Sequence, residues 1–335
     1  MTGNEIASPA MDKLGLDVFF TVDVEVWCDG WTDIDAKFPQ AFRRYVYGPT
    51  ATGDFGLPYQ LKLLSEHGLK GVFFIEPLFA ARFGTDALAE VVGLVRDAGH
   101  ETQLHLHTEW VDEARVPLLT GAPANKRPFL HQFSQSEQAV LIGHGKELLR
   151  RCGAVDPTAF RAGSFGINRA TLAAVRANGL PIDSSYNASM LGPHNGEFPG
   201  GPLLDSVTVD GILEFPMTVF DVAGHKLRHV QLGACSFSEI EGLLWRALEV
   251  GRRSFVILSH NFELLNDAKD RSDGVVVNRF RRLCAFLERN RDTFHTRGFN
   301  GVHRRVDTGA PRSLSSPVWK AAARTAEQVY RRMSR

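Results

Sequence analysis

Acids and imidazoles each occur in this chain as a pair two residues apart. Asp23 and Glu25 stand in Thr21-Val22-Asp23-Val24-Glu25, and His105 and His107 in His105-Leu106-His107-Thr108-Glu109. Side chains two apart on a strand share a face, so each pair points one way. Glu109 follows two residues on, and Arg161, Asp183 and His260 sit at the ends of other apolar runs. Carboxylate oxygen and imidazole nitrogen without thiolate suit Zn²⁺, or another borderline divalent ion, held with a position open for water. Such an ion acidifies the water and polarises a carbonyl oxygen, which favours hydrolysis of an amide or ester over redox chemistry. The candidate ligands are Glu25, His105, His107 and Glu109. The competing reading of His-Leu-His is an amphipathic strand with satisfied histidines, against which the acids after the first strand weigh.

The elements that must position these groups alternate. Short apolar, β-branched runs at 17–24, 71–75, 101–107, 159–162, 182–184 and 254–259 read as buried strands. Between them lie helical patterns. Leu57, Leu61 and Leu64 repeat before Gly68, and further helices are expected at 86–98 (closed by Gly99), 136–152 (closed by Gly153), 168–178 (capped by Asn168), 237–250 and 275–289. Glycines, prolines and short alternating runs at 192–233, with Asp210-Gly211 as a hairpin turn, indicate a β-rich insertion. Six or seven βα units in roughly 280 residues fit one closed α/β barrel, whose chemistry sits at the C-terminal ends of its strands. The barrel is expected over 17–300, between a tail at 1–16 and another at 301–335.

Composition narrows the functions. The 335 residues carry 38 Lys plus Arg and 38 Asp plus Glu, so no excess of positive charge is present to hold a phosphate backbone, and nucleic acid is not expected as a partner. With 44% hydrophobic and 23% charged residues, the chain is neither disordered nor fibrous. Four scattered cysteines without a CxxC pair argue against a disulfide framework and a thiolate zinc site, and for a reducing compartment. The start has no basic segment before an apolar one, and no apolar run approaches the ~20 residues that span a bilayer. A cytoplasmic protein, not integral to a membrane, is expected. Near the C-terminus, Ser316-Pro317 starts a helix with Trp319, Ala323, Ala326, Tyr330 and Met333 on one stripe and Lys320, Arg324, Arg331 and Arg332 opposite. Docking on the barrel is expected, and this helix offers the chain's one route to a membrane surface.

Five motifs in order resemble those of the polysaccharide deacetylases with the NodB-homology fold, a distorted (β/α)7 barrel, over residues 17 to 294. Thr21-Val22-Asp23-Val24-Glu25 stands at the family's aspartate pair, which implies Asp23 as general base and Glu25 as substitute for the metal-binding acid that Val24 replaces. Gly99-His100-Glu101 precedes His105, at the first metal histidine. Glu109 falls where the second histidine belongs, so it is a carboxylate ligand or a sign that the set has shifted to His107. Phe73-Phe74-Ile75 matches a core strand, and Glu76 beside it is an exposed loop acid or lines the pocket. Arg161, in Phe160-Arg161-Ala162-Gly163-Ser164-Phe165-Gly166, would orient Asp23, and backbone amides near Ser164 or Phe165 would hold an oxyanion. Asp183, in Asp183-Ser184-Ser185-Tyr186, would position His260, the general acid in Leu258-Ser259-His260. Trp27, Trp31 and Trp110 are sugar platforms or pocket wall. His225 and His229 touch substrate or are satisfied surface groups, and Asn261-Phe262-Glu263 shapes the pocket or caps a loop.

The resemblance implies metal-dependent removal of acetyl from an N-acetylated sugar in cell-surface polysaccharide or lipopolysaccharide synthesis. A cytoplasmic enzyme would meet a nucleotide- or lipid-linked sugar. Two rivals are an amidase or deformylase of the same fold acting on another acyl amide, with or without metal, and a non-catalytic sugar-binding barrel. Retention of Asp23 and His260 argues against the last.

Overall fold

The structure, a computed structural model, describes residues 15–121, 125–192, 202–222, 224, 226–302 and 311–333, the side chains of 330, 332 and 333 apart. The expected tail up to residue 14, and His225, lie outside them. Seven parallel strands follow one another around the curled sheet: β1 (Leu16–Val24), β2 (Gly71–Ile75), β3 (Glu101–Leu106), β4 (Ala159–Ala162), β5 (Ile182–Asp183), β6 (Ile212–Glu214) and β7 (Ser254–His260), and the short strand Phe294–Thr296 also pairs in parallel with the start of β1. Their spatial order is β7-β1-β2-β3-β4-β5-β6, every neighbouring pair parallel. Irregular backbone crosses the seam: Met217 N donates to Tyr186 O, Val230 N to Thr218 O, and Leu258 N to Val230 O. The result is a distorted α/β barrel.

One strand comes from an unexpected place. Ile212–Glu214 lies inside the segment read as an insertion, yet it pairs in parallel with β5 as well as antiparallel with Val207–Val209. The hairpin at Asp210-Gly211 is real, and its second arm belongs to the barrel. The other strands of that segment, Val219–Val222 and Arg228–His229, join Leu314–Ser316 in a small separate sheet.

Period-two alternation divides the core. Phe19, Val72, Phe74, Phe215, Met217, Val256 and Phe299 pack within the barrel, whereas Phe20 turns outward and stacks on Phe280 at 5.2 Å. Thr21, Asp23 and Glu25 follow Phe19 on the inward face, so a run of apolar plug residues ends in acids. Around the sheet pack α1 (Leu57–Glu66), α2 (Asp86–Asp97), α3 (Gln135–Arg151), α4 (Arg169–Ala177), α5 (Phe237–Glu249) and α6 (Gly274–Arg289). Their starts are capped as the sequence signals. Ser134 with Glu137 and Ser236 with Glu239 close reciprocal boxes on α3 and α5, and Asn168 accepts from Thr171 N on α4.

The last helix, α7 (Val318–Met333), docks with the opposite face from the one its apolar stripe suggests. Buried Arg324 pairs with fully buried Glu239, Lys320 donates to Ser238 O at 2.7 Å, and Arg279 donates to Glu327 at 2.6 Å. Val318 and Trp319 are 62% and 65% exposed. Tyr330 and Met333 of the expected stripe have side chains outside the described ones. The inward charges find partners on α5 and α6, and that pairing, not apolar burial, sets the helix's rotation. Among the described residues no helix is long and apolar enough to cross a membrane.

Candidate metal centre and active site

The inward residues of β1, β3, β4 and β7 meet at the C-terminal rim. Glu25 Oε1 lies 3.3 Å from His105 Nε2, 3.0 Å from His107 Nε2 and 4.0 Å from His260 Nε2. Asp23 Oδ2 is 4.0 Å from His105 Nε2, while its Oδ1 accepts from Arg161 Nη1 at 2.6 Å. Two sets of donors, Glu25 with His105 and His107, and Asp23 with Glu25 and His260, each have one atom per residue within 4.8 Å of the others.

The hydrogen bonds behind the first set fix its chemistry. Arg161 O only accepts, so His105 Nδ1 donates to it at 2.9 Å. The other His105 nitrogen, Nε2, is turned toward Glu25 Oε1. His107 faces a carboxylate on each side, Glu25 at Nε2 and Glu109 at Nδ1, at 3.0 and 3.3 Å. Acceptors this close repel one another unless positive charge lies among them. Burial would lower the His107 pKa, but Glu25 and Glu109 outweigh it and hold the ring well above its ordinary value. Burial likewise works to raise Glu25, and His107, His105 and His260 together hold it well below the carboxylate range. Two imidazole nitrogens and one carboxylate oxygen, all buried and converging, fit a divalent ion with room for water.

Backbone placement supports these groups. Asn261 Oδ1 accepts from Glu25 N at 3.0 Å and its amide donates to Glu25 O and Tyr45 O, so one buried side chain clamps the end of β1. Gln60 of α1 donates to the carbonyls of His260 and Asn261. Trp27 Nε1 donates to Glu25 Oε2 at 2.7 Å, and its ring stands edge-on to His107. Arg161, fully buried, bonds Asp23, Thr21, Ser184 O and Ser184 Oγ and lies over the Phe74 ring. Gly163 is held by close approach: a Cβ there would stand 2.7 Å from Leu106 O and 2.8 Å from His107 Nδ1. Gly163→Ala is expected to push the His107 ring aside, at about 1–3 kcal/mol of stability for the overpacking. Metal titration should show weaker ion binding than wild type, and an unchanged affinity would mean that the His107 ring is not held from this side.

Three expectations are corrected, and for Glu76 the exposed-loop reading is removed. Glu109 is not in the donor cluster. The chain leaves the strand at Thr108 and enters a 3₁₀ turn (Thr108–Glu113), which places the Glu109 carboxylate on the far nitrogen of His107. Asp183 does not position His260. Its oxygens accept from Ser185 N and Oγ, while His260 Nδ1 meets Glu263 Oε2 at 2.8 Å. Trp110 is 1% exposed and packs on Trp31, Phe79 and Phe83, so it is wall and no platform. Glu76 is buried, accepts from Leu78 N and Phe79 N, and is pushed by burial to a pKa of about 8.

Glu263, read from the sequence only as shaping the pocket or capping a loop, takes the place expected of Asp183 beside His260. It is anchored by Gln231 Nε2 and Gly233 N. Burial would lower the His260 pKa, but Glu263, Glu25 and Asp23 outweigh that and carry it to about 9. The ring is thus protonated at neutral pH, and it keeps 22% exposure. A group that must donate a proton loses its function as pH rises through its pKa. Glu263→Gln is expected to move that alkaline fall in activity to lower pH, read from a pH–rate profile. An unmoved limb would show that Glu263 does not set the proton on His260. Ser164 and Phe165 occupy the left-handed region with φ of 52° and 58°, a costly conformation for two non-glycine residues in a row and one that clusters at functional sites.

No protein-family model matches the sequence, and no curated protein does. Among solved structures the chain is similar to a candidate polysaccharide deacetylase from Mycobacterium smegmatis, at 18% identity and a TM-score of 0.52 over 90% of this chain and 96% of that one. It is also similar to a family 4 carbohydrate esterase from Streptomyces lividans in complex with acetate, at 13% identity and a TM-score of 0.43 over 90% and 98% of the chains. The Mycobacterium likeness shows the fold: the chain has the distorted barrel of the polysaccharide deacetylases.

Proposed function

We propose that this barrel is a metal-dependent hydrolase that removes acetyl from the amide of an N-acetylated sugar. The observation that carries the reading is the convergence of Glu25 Oε1, His105 Nε2 and His107 Nε2, one carboxylate oxygen and two imidazole nitrogens within 4.8 Å of one another, beside an anchored carboxylate and a protonated imidazole. The fold supports it, since the Mycobacterium structure is named as a candidate polysaccharide deacetylase. Glu25, His105 and His107 would hold the ion, zinc by its donor set, which would acidify a water and polarise the amide carbonyl.

The chain's own residues supply the proton transfers. Asp23 has one oxygen tied to Arg161 and the other turned to the cluster, where it takes the proton of the attacking water. His260, charged and bonded to Glu263, gives a proton to the departing amine. The backbone amides of Ser164 and Phe165 are offered to the developing oxyanion. Trp27 and Trp31, half-buried beside the ligands, border the sugar. Four free buried thiols favour a cytoplasmic setting and a biosynthetic precursor as substrate.

The test is acetate release from N-acetylglucosamine substrates by zinc-supplemented protein. Chelation is expected to abolish it and zinc to restore it. Full activity in chelator, with less than about 0.2 ion bound per chain, would remove the metal mechanism and favour the metal-independent amidase; the threshold stands well below the one ion that a single catalytic site requires.

A further inference from the structure

A second pocket adjoins the reacting end of the barrel. It has a volume of about 490 Å³ and is lined by Ser189, Lys226, Arg228, His229, Gln231 and Arg324, with apolar residues between them. Gln231 ties it to the active site, because its amide donates to Glu263, the partner of His260. His229 Nε2 in turn bonds Gln231 Oε1 at 3.1 Å, and the His229 ring stands 6.0 Å from that of Phe165 on the Arg161 loop. Two of the residues that line the pocket therefore touch the segments that carry the candidate site.

Its charge is one-sided. No carboxylate is among the described residues that line it. Arg324 is spent on Glu239, but Lys226 and Arg228 have no acidic partner among the described residues. Arg228 Nε is shut off from solvent and lacks a hydrogen-bond partner there. Arg228 as a whole is half-buried, and the guanidinium fork matches phosphate oxygens. Surrounding apolar surface sharpens the field.

We propose that this pocket is a phosphate subsite, in which Lys226 and Arg228 hold the diphosphate of an activated sugar whose acetamido group reaches Asp23 and His260. The assignment rests on the deacetylase reading for the acetamido end and on this pocket for the phosphate end. The diphosphate belongs to a nucleotide or to a lipid carrier, and the two have the same headgroup chemistry.

The experiment compares acetate release from UDP-N-acetylglucosamine, a short prenyl-diphosphate N-acetylglucosamine and diacetylchitobiose. Wild type is set against Lys226→Gln/Arg228→Gln and against Lys226→Gln alone, an exposed change that keeps the test open if the double variant unfolds. The ratio of kcat/KM for phosphorylated over unphosphorylated sugar is expected to fall at least about tenfold in the double variant and in the same direction in the single one, the loss of a charge-assisted hydrogen bond. Preference for the UDP sugar assigns the nucleotide, and preference for the prenyl sugar the lipid carrier. A ratio that does not change overturns the subsite. Calorimetric binding of UDP and of geranyl diphosphate to the zinc-supplemented protein needs no turnover. Binding weakened by the substitutions, with no acetate from any sugar, keeps the subsite and sinks the deacetylase reading; binding that is equal in wild type and variants overturns the subsite whatever the turnover.

Discussion

Asp23→Asn is expected to lower acetate release by roughly 10² to 10⁴-fold, the range for losing a positioned general base. Asparagine keeps the outline of the side chain and an oxygen for Arg161 Nη1, so the buried guanidinium is not stranded. The stability loss should therefore stay below the roughly 3–5 kcal/mol that follows when one partner of a buried ion pair is removed outright. Metal content should hold, because Asp23 is not among Glu25, His105 and His107, the set proposed to hold the ion. Steady-state kinetics and thermal melting separate the two effects. Acetate release within tenfold of wild type, in a variant that is folded and loaded, would overturn Asp23 as the base.

Glu25→Gln should be as damaging for a different reason. Glu25 Oε1 is the one oxygen that both imidazoles face, and its other oxygen is held by Trp27. Glutamine removes the negative charge, and its amide can donate where the carboxylate oxygen could only accept. Divalent-ion affinity should fall by at least the roughly 10–100-fold that even an outer partner's loss costs, with activity lost in parallel. The fold should survive, since Asn261 clamps Glu25 by its backbone. Excess zinc is expected to recover part of the activity. A variant that holds one ion per chain as tightly as wild type would place the metal elsewhere.

Much of this arrangement is legible before any coordinates. The strand ends carry the chemistry because period-two patterning fixes which face Asp23, Glu25 and His105 share, and the helix caps follow from local hydrogen bonding. His107 keeps that face although it lies one residue past β3, because its backbone is still extended. Spacing misleads where the backbone changes type. Glu109 lies on the His107 face only if the strand continues, and the turn at Thr108 ends that. Proximity in sequence to a strand end says nothing about which carboxylate a loop delivers, so Glu263, three residues past His260, displaces Asp183, whose carboxyl group is occupied by Ser185. Ile212–Glu214 is too short to reveal which sheet it joins, since a hairpin arm and a barrel strand have the same pattern. The rotation of α7 depends on Glu239 and on Arg279, more than forty residues from their partners, and amphipathic arithmetic on one helix does not include them.

The central claim is a cation bound among Glu25, His105 and His107, and an anomalous-scattering map from zinc-soaked crystals, collected on both sides of the zinc edge, tests it most directly. One peak is expected, bounded by Glu25 Oε1, His105 Nε2 and His107 Nε2, with Glu109 behind His107 and Asp23 Oδ2 facing it. A peak centred on Glu109 or away from β1 and β3, or no peak from crystals of protein that releases acetate, would contradict it.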